Sequence, residues 1–433
     1  MRTAVPLAWL GLATCFSPPE PAATTALPRR AATTALPRRV RVAGQRFVLS
    51  ASNQSIVMAG PNVVVKGPPY LPSVSGDSYC HDVTDGCAPN CESCTTFNEA
   101  DAAHLKTMGW NAIRLGVVWA GAQPRDEDTL DAGFVARLHA VLNLTDAAGI
   151  HVILDNHGDM VGTAGCGNGV PMWVQQKAAP DLIGKPLKTE LPYSLIPSLR
   201  IDKVSGYDHC GGNATAWAQH AGDPNFNLLN ECCLAMNGPN PGGLGYTSIN
   251  QKTMAYVMDA GAGRAAFVRF WGLLAAEVQG HPSAFAAELM NEPMYIFRRE
   301  MYQTWRAAAE AIHAQVPDMA VALADTGEGV VMPSWVSHLP GGASIDIDSE
   351  TEAWIKSDGR LFYAWHWYGE PKSAEDAVKN AQAISAAWGV PSIATEFMGC
   401  SAWKAAAAAN ISHLCTPLPA PVDPPPPPTA RGS

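Results

Sequence analysis

The chain is 433 residues long, carries a formal net charge of −10 and is 47% hydrophobic. That length and apolar content suffice for a large core, and α/β barrels of this size fold as one unit. An acidic balance with no basic block excludes nucleic acid as a natural partner.

In chain order, MRTAVPLAWLGLATC opens with a short positive start and an apolar run of signal-peptide length. It is too short to span a bilayer, so residues 1–20 read as a cleaved leader. The eleven cysteines agree with export, because Cys15 lies in or beside the leader and leaves an even number. Cys80, Cys87, Cys91 and Cys94 cluster in one loop, where the C-x-x-C spacing of Cys91 and Cys94 admits zinc. In an oxidising compartment disulfides are the expected fate of that quartet. N-x-S/T sequons at Asn53, Asn143, Asn213 and Asn410 fit the same route, so a secreted or luminal glycoprotein is expected.

AATTALPRR then occurs twice in tandem, at residues 22–30 and 31–39. A perfect low-complexity duplication has no packing logic, and residues 21–39 read as a spacer. The folded part is expected over residues 40–415. It begins with the strand-like runs RVRVAGQRFVLS and SIVMAGPNVVVKGPPYLP, the second bracketed by Asn62 and Lys66. The helical segment FNEADAAHLKTMG leads into a strand, WNAIRLGVVW, that carries Arg114. A helix over about 131–148 places Phe134, Leu138, Val141 and Leu142 on one face, with Gly149 just past its end. HVILDNHGDM follows, a strand ending at Asp155, His157 and Asp159. Residues 162–261 show no sustained period and read as a long insertion, either a functional lid or binding wall or else a poorly ordered stretch.

A helix over 263–278 feeds AFAAELMNEP, read as one buried strand delivering Asn291 and Glu292 to the rim of a sheet. Next come a helix over 299–316, the strand AVALAD ending at Asp325, and GRLFYAWHWYG, which brings His366 and Tyr368 to its end. Ser373, with Asp376 three residues on, is the expected N-cap of a helix running to Trp388. VPSIAT then delivers Glu396. Strand and helix alternate at least six times, and no G-x-G-x-x-G stands at a strand-to-helix turn. The pattern predicts an α/β fold, a (β/α)8 TIM barrel, with Arg114, His157, Glu292, Asp325, His366, Tyr368 and Glu396 at the carboxyl ends of its strands.

Two acids facing each other in such a cleft suit glycoside cleavage. Retention of configuration needs one carboxyl to protonate the leaving oxygen and a second, ionised, to attack the anomeric carbon, the pair about 5–5.5 Å apart. Asn291 suits contact with the neighbouring sugar hydroxyl, and Arg114 and Tyr368 would favour the charged form of Glu396. A lone strand-end carboxylate often only caps a helix, and a lone histidine is more often structural. The prediction therefore rests on the whole set sharing one rim. Thirteen tryptophans and ten tyrosines also supply flat rings of the kind that stack on sugars.

RLGVVW, LDNHGD, LMNEP, HWY and ATEF, in that order, resemble the barrel-strand motifs of glycoside hydrolase family 5. NVVVKGPPYLP, the LDNHGDM…CGNGVPMW continuation and the insertion resemble its endoglycoceramidase-like branch. The resemblance implies Glu292 as acid/base and Glu396 as nucleophile. Around them it implies Arg114, His157, Asn291, His366 and Tyr368, with Lys66 and Asp155 touching the sugar and Trp217 stacking on it. Two departures stand out. The branch shows D-M-H-Q-D where this chain has a glycine in place of the glutamine. The family also has an eighth strand bearing a tryptophan. Here SAWKAAAAANISHLC gives at most one helix, with Trp403 as the available ring, before the proline-rich tail of residues 416–433, which cannot form a barrel strand. The eighth strand is thus expected to be lacking or atypical.

The expected activity is release of an intact glycan from a glycosphingolipid. The alternatives are an endo-β-1,4-glucanase and a carbohydrate-binding protein without turnover. No cofactor or metal is called for. The expected partners are a carbohydrate or glycolipid substrate and, at most transiently, a membrane surface, engaged by a monomer.

Overall fold

The computed structural model describes residues 39–67, 69–75, 96–158, 161–191, 193–195, 200, 244–295, 297–324, 347–368, 373–397, 409 and 412–415. Its strands are β1 Val40–Ala43, β2 Arg46–Leu49, β3 Ser55–Ile56, β4 Ala59–Val63, β5 Ala112–Gly116, β6 His151–Asp155, β7 Ala284–Glu288, β8 Ala320–Ala324, β9 Leu361–Trp367, β10 Ser392–Phe397 and β11 Ser412–Cys415. The helices are α1 Glu99–Thr107, α2 Trp119–Ala122, α3 Ala132–Ala148, α4 Met172–Ala178, α5 Ser248–Met258, α6 Ala262–Val278, α7 Arg298–Gln315, α8 Ser349–Asp358 and α9 Ala374–Trp388. Strands β4 to β11 pair in parallel and close into a barrel, β11 joining β10 to β4.

The eighth strand therefore exists, and it is atypical in length. It spans four residues, SHLC, and pairs Ile393 with Ser412 on one side and Leu414 with Gly60 on the other. Side-chain pairing reinforces it, since the Met58 amide donates to Ser412 Oγ at 3.0 Å. Four residues between an alanine-rich stretch and a run of prolines carry too little β-pattern to be recognised alone, which is why the sequence reads as a barrel missing its last strand.

Strands buried on both faces are nearly continuously apolar. The barrel interior is filled by Ala112, Ile153, Phe285, Ala286, Ala322, Phe362, Ala364, Ile393 and Leu414. The three-stranded sheet β1–β3 covers the amino-terminal end, where Phe47 meets Phe285 and Phe362 edge-on at 6.1 and 5.6 Å. Around the outside, α6 and α7 pack Phe267, Phe270, Trp271, Tyr302 and Trp305 into the layer between helices and strands.

Local signals place the helices. Asn98 accepts from the Ala100 and Asp101 amides while Asp101 accepts from the Asn98 amide, a reciprocal box at the start of α1. Ser373 Oγ accepts from the Asp376 amide at 3.1 Å, as expected from the sequence. Gly149 and Gly389 end α3 and α9 in the left-handed region, at φ +69° and +73°. The insertion is less irregular than its composition suggests. It contains α4 and α5, and α5 buries Ile249, Thr253, Met254, Val257 and Met258 at helical spacing. Among the described residues no helix is long and apolar enough to cross a membrane.

Candidate active site

All eight barrel strands run in parallel, so their carboxyl ends meet at one rim. Arg114, from β5, is the hub there, and its side chain has no solvent exposure. Nε and Nη2 donate to the two oxygens of Glu288 at 2.9 and 2.7 Å. Nη2 also donates to Asn291 Oδ1 at 2.7 Å and lies 3.1 Å from Asp155 Oδ1. Nη1 donates to Glu396 Oε1 at 2.6 Å. Burial opposes the charge, but Asp155, Glu288 and Glu396 outweigh it and hold the guanidinium firmly protonated.

Glu396 accepts from the Tyr368 hydroxyl on its other oxygen. His157 Nδ1 stands 3.7 Å from Glu396 Oε1 and pairs with Asp155 Oδ2 at 2.7 Å. Burial on its own would raise the Glu396 carboxyl. The charges of His366, Arg114 and His157 and the Tyr368 hydroxyl overcome it and hold Glu396 well below the ordinary carboxylate range. Such a group is an anion suited to attack.

Glu292 lies beyond the strand, not at its end. β7 stops at Glu288, and Asn291 and Glu292 occupy the following loop, whose course is set by Asn156. The Asn156 side chain donates to the Leu289 carbonyl at 3.1 Å, and its backbone carbonyl accepts from the Asn291 amide at 3.1 Å. Glu292 is held at φ +40°, a sparsely populated region for a residue with a side chain. Its Oε1 is 2.9 Å from His366 Nδ1, and His366 Nε2 is 3.1 Å from Thr395 Oγ1. A ligand atom each of Glu292, His366 and Glu396 lie within 4.8 Å of one another. Among the described residues this trio is where a cation's ligands would converge. Both ring nitrogens of His366 are engaged, however, so the bonding is that of a proton network.

The remaining expected residues are placed as follows. Asp155, expected against the sugar, is fully buried beneath the rim, where it holds His157 and Arg114. Lys66 is exposed on the loop after β4, with its carbonyl accepting from Asn168 Nδ2 at 3.3 Å. Trp217, Asp159, Asp325, Trp403 and the cysteine quartet lie outside the described residues. Glu288, Asn156 and Thr395 escaped the sequence reading. Glu288 did carry a signal, as a carboxylate inside the apolar run AFAAELM has to find a buried cation. Against Asn291 and Glu292 there is a small cavity of about 10 Å³, lined by Asn156, Gly158 and Gly169 as well as Val161, Val170, Met254, Met290 and Met294.

Residues 85–184 match the family model for cellulase, glycosyl hydrolase family 5. Endoglycoceramidase I of Rhodococcus hoagii (strain 103S) is 30% identical over 172 residues, 39% of this chain and 29% of that protein. These likenesses support an assignment to glycosyl hydrolase family 5, on its endoglycoceramidase-like branch. An endoglycoceramidase of Hydra vulgaris, 26% identical over 241 residues, matches 54% of this chain and 36% of the Hydra protein. These matches thus span less than two fifths of the curated relatives. In fold, the chain is similar to an endogalactoceramidase, with a TM-score of 0.57 at 15% identity over 87% of this chain and 74% of that one. Endo-glycoceramidase II from Rhodococcus sp. gives 0.53 at 17% identity over 84% and 73%.

Proposed function

We propose that the protein is a retaining β-glycosidase of the endoglycoceramidase type, releasing an intact glycan from the ceramide of a glycosphingolipid. Glu396 attacks the anomeric carbon while Glu292 protonates the departing oxygen. Glu292, now ionised, then takes a proton from water as the hydroxyl adds to the anomeric carbon and breaks the glycosyl–Glu396 bond, leaving Glu292 protonated and Glu396 a free carboxylate. The observation carrying this reading is the approach of Glu292 and Glu396 oxygens to within 4.8 Å. Nearest oxygens this close suit the roughly 5–5.5 Å carboxyl separation of retaining enzymes better than the roughly 6.5–9.5 Å that admits a water between the acids.

A lipid aglycone is supported by the likeness to the endoglycoceramidases of Rhodococcus hoagii and Hydra vulgaris. The leaving group must lie against the residue that protonates it, and the apolar side chains packed nearest Glu292 are methionines and valines. Thioether side chains fill irregular apolar space and adapt to flexible chains. Incubation of the purified protein with a ganglioside is expected to yield free oligosaccharide and ceramide. If a soluble β-glucan is cut and the ganglioside is not, the protein is an endo-β-1,4-glucanase, the reading favoured by the description of the matching family model. The binding-protein alternative drew on a missing eighth strand, and β11 removes that motive.

We place the protein in a secreted or luminal compartment, which the disulfide at Cys166 supports. It acts as a monomer touching membrane only in passing, with no cofactor and no nucleic acid partner.

A further inference from the structure

Glu288 takes no part in the bond-making steps above, yet it stands one contact away from both reacting carboxylates. Its two oxygens fill the fork formed by Nε and Nη2 of Arg114, at 2.9 and 2.7 Å. A guanidinium is planar and rigid, so fixing those two nitrogens also fixes the direction of the third. The third, Nη1, donates to Glu396 at 2.6 Å. On its other side, Glu288 Oε1 accepts from Thr395 Oγ1 at 3.5 Å and lies 3.9 Å from His366 Nε2. Thr395 is 3.1 Å from that nitrogen, and the opposite nitrogen of His366 is 2.9 Å from Glu292.

We infer that Glu288 is a positioning residue for the reacting pair, aiming Glu396 through Arg114 and Glu292 through Thr395 and His366. This rests on the reading of Glu292 and Glu396 as the pair. The simpler account is that Glu288 merely neutralises Arg114, and the two accounts differ in sign. Loss of a neighbouring negative charge alone would make Glu396 easier to ionise and move the acidic limb of kcat/KM to lower pH. Loss of the anchor for Arg114 would weaken the grip on the Glu396 anion and move the limb to higher pH.

The test is Glu288→Gln, which keeps the shape but cannot fill the fork with two acceptors. Positioning predicts a fall in kcat of about 10²-fold with KM little changed. It also predicts an upward shift of the acidic limb and, in a crystal structure of the variant, an Arg114 Nη1–Glu396 Oε1 distance clearly longer than 2.6 Å. An unchanged kcat, a downward limb or an unmoved Arg114 would overturn it. If the variant does not fold, Glu288→Asp retains the charge, loses reach and is expected to give the same three results. Should the wild type cleave no glycoside, the glycosidase reading falls, and the position of Arg114 alone decides this inference.

Discussion

Glu396 reaches the site through a departure from regular strand geometry. Ile393 packs inside the barrel and Ala394 outside, so strict alternation would point Thr395 inward and Glu396 outward. A register shift between Ala394 and Glu396 instead sets Glu396 opposite His366, which lets both Thr395 and Glu396 face the cleft. Once there, its charge depends on its donors. Tyr368→Phe removes the hydroxyl bond to Oε2, a hydrogen bond to a charged group worth about 1.5–3 kcal/mol. The folded-state value then rises toward the ordinary one, and the acidic limb of kcat/KM is expected to move up by about one to two pH units. The sign for stability follows from the same depression. Glu396 contributes stability that is fully present above its unfolded value and lost as pH falls through the lower folded one. The variant is therefore also expected to begin losing stability at higher pH on acid titration.

Among the elements, β11 is the shortest barrel member that the remaining seven depend on for closure. Without it β10 and β4 would present bare edges. Leu414 is fully buried in the interior cluster with Met58 and Ile393. Leu414→Ala is expected to destabilise the fold by roughly 2–5 kcal/mol, read as a lower urea midpoint with little change in the slope of unfolding. An unchanged midpoint would mean that the seam does not carry stability. Its partner β10 holds Glu396 and its partner β4 pairs with β5, which holds Arg114, so the same variant tests whether closure supports the site. Helices were easier to foresee than this strand. The α3 and α9 caps and terminal glycines carry local signals, whereas α5 was obscured by a glycine- and proline-rich neighbourhood despite the spacing of Ile249, Thr253 and Val257.

The whole molecule separates stability from chemistry along the barrel axis. The amino-terminal end is plugged by β1–β3, and the carboxyl ends hold the charged network. Phe47→Ala at the plug is expected to cost about 3–5 kcal/mol in thermal or urea unfolding. Turnover per folded molecule should stay unchanged, because Phe47 contacts Phe285 and Phe362 at the end opposite the acids. A parallel loss of turnover would mean that the two ends are coupled through the interior.

Alternating apolar runs and amphipathic stretches are local properties, so sequence by itself determined a parallel α/β barrel and most helix ends, and it singled out Arg114, His157, Asn291, Glu292, His366, Tyr368 and Glu396 as candidates for the rim. Tertiary structure decided what depends on distant segments meeting. Closure by β11 needed β4 and β10 on either side, the end of β7 at Glu288 was set by its neighbours, and the outward-to-inward turn of Glu396 required pairing with β9. The burial of Asp155 and Glu288 under Arg114 has the same origin. A charged residue declares its type in sequence, but whether it faces a substrate or another charge depends on which strands close around it.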